Sequence, residues 1–137
     1  MDKKELSEKN IDSVIELFSN GEISEALDSI ELLIKDYPNE SILFNIRGAC
    51  YAALGKLEDA VQNYQNALVI KPDYSDVSYN LGNVLKDLGQ LEDAVKSYKK
   101  TLDIEPLYLA AQYNLGVTFQ ELGLLDDAAE QYEKALN

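Results

Sequence analysis

Asparagines and tyrosines recur on one side of a helical stretch in this chain. In residues 75–108, Asp76, Tyr79, Asn80, Asn83 and Asp87 fall at i, i+3, i+4, i+7 and i+11, so a helix brings them to one face. Tyr113 and Asn114 stand 34 residues after Tyr79 and Asn80 and repeat the pattern. A side-chain amide offers one carbonyl acceptor and two N–H donors. Those groups match the N–H and C=O of an extended peptide, whatever that peptide's side chains. The row is interrupted: Ile46 stands at the matching place one period earlier, with Asn45 just before it, and Asp12 stands one period before that. The same amides could instead tie neighbouring helices together, and the residues alone leave both roles open.

Paired carboxylates are the other chemical candidates. Glu58-Asp59, Glu92-Asp93 and Asp126-Asp127 could hold a metal ion or share acid–base work. Each pair, however, follows a turn glycine by three residues, where the first turn of a helix is expected. Carboxylates there complement the positive end of the helix macrodipole, which is a structural role. Cys50 is the one cysteine, inside the apolar run Gly48–Leu54, and reads as a small buried filler rather than a reactive thiol. With no histidine, nucleophile motif, phosphate loop or metal-ligand spacing, the sequence predicts no catalysis, no metal site and no cofactor.

The elements that must position these residues repeat. Gly21, Gly55, Gly89 and Gly123 are spaced 34 residues apart, and Ala26, Ala60, Ala94 and Ala128 keep step with them. Pro38, Pro72 and Pro106, then Gly48, Gly82 and Gly116, then Tyr64, Tyr98 and Tyr132 share the period. Five columns at one spacing define a stacked repeat protein, in which each unit buries its apolar face on its neighbours. Boundaries two residues after each proline give repeats 7–40, 41–74, 75–108 and 109–137, the last incomplete, within one domain spanning 1–137. Each repeat divides at its central glycine into two amphipathic helices. In the third, Val77, Leu81, Val84, Leu85 and Leu88 form the first stripe, and Leu91, Ala94, Val95, Tyr98, Leu102 and Ile104 the second. The prediction is an all-α fold of eight antiparallel helices without strands. Gly82 and Ala94 mark a close backbone approach, and the periodic tyrosines suit the gap between one pair and the next.

Composition narrows the partners. The formal net charge is -13, which repels phosphate backbones and anionic lipid, so neither nucleic acid nor a membrane is expected. No secretory leader or membrane-length apolar run is evident, and a cytoplasmic location is expected. Acidic residues far outnumber Lys9 and Lys35 in the first repeat, which reads as a solvated cap.

The quoted columns resemble the tetratricopeptide repeat (TPR) family. The second repeat supplies Phe44, Gly48, Tyr51, Gly55, Ala60, Tyr64, Ala67 and Pro72. The third has Ser78 in the first aromatic slot and Thr101 in place of the later alanine. The fourth supplies Leu115, Gly116, Phe119, Gly123, Ala128, Tyr132 and Ala135. The resemblance implies a right-handed superhelical solenoid whose concave groove binds a protein or an extended peptide. It places Asn45, Tyr79, Asn80, Asn83, Tyr113 and Asn114 in that groove. An asparagine row of this kind resembles the one in the repeat arm of protein O-glycosyltransferases. The family's carboxylate-gripping mode is not expected, since the groove positions lack Lys and Arg. Arrays resembling this one also precede sulfotransferase or glycosyltransferase domains, so a recruiting arm is the alternative, and a self-assembling scaffold another. Asn10, Ser13 and Val14 stand in the aromatic-Leu-Gly slots of the first repeat, as a terminal cap requires. Leu125, Ala128, Tyr132, Ala135 and Leu136 leave the last helix apolar, so a missing natural end and self-association there are expected.

Overall fold

The computed structural model describes residues 6–137. Among them run eight α-helices and no strand: α1 (Glu8–Ser19), α2 (Ile23–Asp36), α3 (Ser41–Ala53), α4 (Leu57–Ile70), α5 (Ser75–Asp87), α6 (Leu91–Ile104), α7 (Leu109–Glu121) and α8 (Leu125–Leu136). The all-α architecture predicted from the period is present. Contacts divide the chain into two compact units at the Lys71–Pro72 junction. The first holds the pairs α1/α2 and α3/α4, and the second α5/α6 and α7/α8.

The glycine period makes the hairpins. Gly89 takes φ +78, a left-handed conformation that side chains resist. Its N–H donates to the Lys86 carbonyl and the Gln90 N–H reaches back to Leu85, which closes the last turn of α5 as a Schellman motif. Gly21, Gly55 and Gly123 adopt the same sign of φ at the other three hairpins. Immediately beyond, Glu58 and Asp59, Glu92 and Asp93, and Asp126 and Asp127 occupy the first turns of α4, α6 and α8. That is the macrodipole position expected for them.

In the first unit the core gathers Val14, Ala26, Ile30, Leu43, Ile46 and Cys50. Helix α1 fully buries only Val14, while Asn10 and Ser13 stay in solvent as a cap's outer face should. Burial raises the pKa of the Cys50 thiol, so it is an inert filler. A polar tie holds the three following helices. Arg47 on α3 donates through Nε to Asn63 Oδ1 of α4 at 2.6 Å and through Nη1 to Glu31 of α2 at 2.8 Å. Asn63 passes its own amide proton to the Asp59 carbonyl, so this buried side chain is satisfied on both sides.

In the second unit Val77, Tyr98, Thr101, Leu115 and Thr118 are sealed from solvent. The two threonines bury their hydroxyls by donating to the carbonyl four residues back, Thr101 to Ser97 and Thr118 to Asn114. Ser78, in the aromatic slot, is buried with its Oγ unpartnered. On α5 the side chain that presses on the glycine is a tyrosine: a Cβ on Gly82 would meet Tyr98 Cε1 at 2.7 Å. The tyrosine ring is therefore seated against Gly82 inside the pair, with its hydroxyl turned toward α7 of the next pair through Asn83. Gly48 with Tyr64 and Gly116 with Tyr132 repeat the contact at 2.6 Å.

Candidate peptide-binding face

Seating Tyr98 on Gly82 aims its hydroxyl across α5. The hydroxyl donates to Asn83 Oδ1 at 2.6 Å. Asn114, on α7, donates from Nδ2 to the same Asn83 oxygen at 3.0 Å and to the Tyr79 hydroxyl at 3.1 Å. Three of the residues singled out by sequence, Tyr79, Asn83 and Asn114, therefore form one cluster joining α5 to α7. Asn83 spends its carbonyl there and Asn114 its amide nitrogen.

Tyrosines wall the cluster. The Tyr79 ring lies 6.0 Å from Tyr98 and 5.0 Å from Tyr108, both tilted. Tyr108, at the N-cap of α7, donates its hydroxyl to Asp76 Oδ1 on α5 at 2.6 Å. Burial is the main reason the Tyr98 and Tyr108 phenols are held well above their ordinary pKa. Tyr79, then Asp87 and Glu121, reinforce this at Tyr98, and the Asp76 hydrogen bond does so at Tyr108. Both stay neutral donors at physiological pH. Tyr98 and Tyr108 were not among the sequence candidates for the site. Tyr98 reads from sequence as core, which it is, but its hydroxyl also orients Asn83. Tyr108 has a signal that could have found it: Tyr74 stands one period earlier.

The remaining candidates are Asn80, Tyr113 and Asn45. Asn80 shares α5 and is half-buried, engaged by a neighbouring group. Tyr113 on α7 is 58% exposed and pairs with Tyr132 of α8 at 5.7 Å, farther along the unit. Asn45 sits on α3 in the first unit, half-buried and also engaged. Among the described residues no group of three or more metal-binding side chains converges. No described helix is long and apolar enough to cross a membrane.

Paired helices repeating every 34 residues, with polar side chains gathered across adjacent first helices, define an all-α repeat of the kind that presents a surface to partners. The chain matches the family described as TPR repeat over residues 48–89 and 82–123, and tetratricopeptide repeat over 110–137. It belongs to the tetratricopeptide repeat family. Among curated proteins it is similar to the peroxisomal targeting signal receptors of Candida glabrata, 33% identical over 64 residues, and of Saccharomyces cerevisiae, 30% identical over 64 residues. Those matches take 47% of this chain but only 11% and 10% of the receptors. Among solved structures, MamA superposes with a TM-score of 0.89 at 24% identity, covering 94% of this chain and 75% of that one. YrrB, described as a TPR protein with an unusual peptide-binding site, gives a TM-score of 0.82 at 21% identity, covering 93% and 66%. The first TPR of Spaghetti (RPAP3), solved bound to the HSP90 peptide SRMEEVD, gives 0.80 at 25%, covering 82% and 89%.

Proposed function

We infer that this chain is a non-catalytic binding scaffold whose α5–α7 face holds an extended peptide by its backbone. The observation that carries this is the Asn83–Asn114 pair. Tyr79 and Tyr98 fix both amides, and the bonds consume Asn83 Oδ1 and Asn114 Nδ2. The donor of Asn83 and the acceptor of Asn114 are then the groups left to meet a peptide carbonyl and N–H. An amide already held in place loses little side-chain entropy on binding. A neighbour of the same fold solved with a bound peptide, and another described as having a peptide-binding site, support a peptide as the occupant. The acidic balance of the chain, and Asp76 and Asp87 on this face, set it apart from partners as acidic as SRMEEVD.

The test is selection of unstructured peptides on the full chain, followed by Asn83→Ala and Asn114→Ala. Each lost pair of hydrogen bonds should weaken binding by about 1–3 kcal/mol if buried in the complex. Scrambling the peptide should change affinity little. A partner that is strongly sequence-selective yet tolerates both substitutions overturns backbone recognition. Lost stability with unchanged binding assigns the asparagines to tying α5 to α7 instead.

A further inference from the structure

Two side-chain clusters at equivalent places in the chain differ in the sign of their charge. In the first unit Glu31 of α2 and Asn63 of α4 both accept from the Arg47 guanidinium of α3, which lies 5.4 Å from the centroid of the Phe44 ring. Two periods later the positions of Glu31, Asn63, Arg47 and Phe44 are held by Lys99, Gln131, Leu115 and Gln112. The anion has become a cation, and the guanidinium that tied the cluster has become a shorter apolar side chain. In its place is a cleft of about 420 Å³ walled by α6, α7 and α8, with Lys99, Gln112, Leu115, Gln131 and Lys134 in its lining.

The groups in the cleft are arranged as donors over an apolar floor. Leu115 is sealed, and Leu102 lines the cleft beside it. Gln112 is only 8% exposed and donates through Nε2 to Gln131 Oε1, which leaves Gln131 its own Nε2 to offer. Lys99 makes no ion pair among the described residues, and its ammonium lies 5.7 Å from the Phe119 ring centroid. Lys134 has an exposed partner in Glu130 at 3.2 Å, a pair that competes weakly for it. Asp103 also lines the cleft, one turn beyond Lys99, and is the carboxylate an anionic ligand must avoid. A helix packed beyond α8 would not cover this place. Ser97 and Lys100, one period before Gln131 and Lys134, stay half-buried and exposed although α7 packs on α6.

We propose that the α6–α8 cleft binds a carboxylate carried on a short aliphatic stem. Lys99 and Lys134 neutralise the carboxylate, Gln131 Nε2 donates to it, and the stem lies on Leu115 and Leu102. The ligand thus brings from outside the counter-charge that the Arg47–Glu31 pair holds within the first unit. A glutamate side chain of a partner protein and a free dicarboxylic acid share this chemistry. None of these residues belongs to the asparagine cluster or to the other groove positions, so the site does not depend on the backbone-binding role.

The probes are N-acetylglutamic acid α-amide, its neutral isostere N-acetylglutamine amide, and glutarate, each titrated at constant ionic strength into the full chain labelled with nitrogen-15. Saturable shifts of the Gln112 and Gln131 side-chain amide signals are expected with both carboxylates and not with the neutral isostere. Tighter binding of the glutamic acid amide supports a protein side chain as the source, and tighter binding of glutarate supports a free dicarboxylic acid. Lys99→Gln should weaken binding by about ten-fold and Lys134→Gln by less, while Asp103→Asn should tighten it, all with unchanged circular dichroism spectra. An equal response to the neutral isostere, or binding indifferent to Lys99→Gln, overturns the proposal. So does the lack of any saturable shift, which would leave Asp103 as the counter-charge of Lys99.

Discussion

Gly82→Ala tests the contact on which the polar cluster depends. The added Cβ would lie 2.7 Å from Tyr98 Cε1 and 2.8 Å from Cδ1. Carbon atoms rest about 3.5–4.0 Å apart, so the ring must retreat by roughly 1 Å. Tyr98 has nowhere to go: it is 0% exposed, and its hydroxyl is tied to Asn83 at 2.6 Å. Overpacking of this kind costs about 1–3 kcal/mol, and a ring without an exit belongs in the upper part of that range. Alanine regains roughly 1 kcal/mol of helix propensity over glycine. The net expectation is a loss of about 1–2 kcal/mol. Gly116→Ala is the internal control. Its Cβ would meet Tyr132 at 2.6 Å, an equal clash on paper, but Tyr132 is half-exposed and can swing outward. There strain and propensity should nearly cancel, to about 0 kcal/mol. Urea denaturation followed by far-ultraviolet circular dichroism compares the two within one compact unit. Equal effects at Gly82 and Gly116, or a stabilised Gly82→Ala, would refute the idea that ring confinement sets the cost.

Tyr64, pushed up to about 12 by burial and then by Cys50, should titrate late. Its folded pKa lies above the unfolded value, so the native state holds the proton longer. Its contribution is complete below about pH 10 and is lost as pH rises toward 12. Tyrosinate absorbance should therefore show a late step that coincides with lost helicity. Titration of every tyrosine in one early step, with helicity intact, would contradict this. Arg47→Lys removes the fork that joins Asn63 to Glu31 and leaves the Asn63 carbonyl without its donor, for a loss of about 1–3 kcal/mol by thermal or urea unfolding. A neutral outcome would mean that water replaces the guanidinium. Cys50 should react with a thiol reagent only as fast as the first unit opens, and rapid modification of the native chain would contradict its burial.

The 34-residue period settled the helices, their turns and their family before any contact was known, because each column answers a local demand. A left-handed turn needs Gly89, and a helix start favours Glu92 and Asp93. The period also grouped Tyr79, Asn83 and Asn114, since residues three, four and seven apart on a helix share a face wherever that helix packs. What it could not give was the partner of each group. Gly82 has the Tyr98 ring pressed on it, a contact set by how two helices lean together. Asn83 and Asn114 look alike in sequence, yet one is held through its oxygen and the other through its nitrogen. Equivalent positions also part company by surroundings alone: Tyr98 is sealed and Tyr132 half-open, although the same period placed both. Burial depends on what lies on top, and that is a property of tertiary neighbours that a local pattern does not carry.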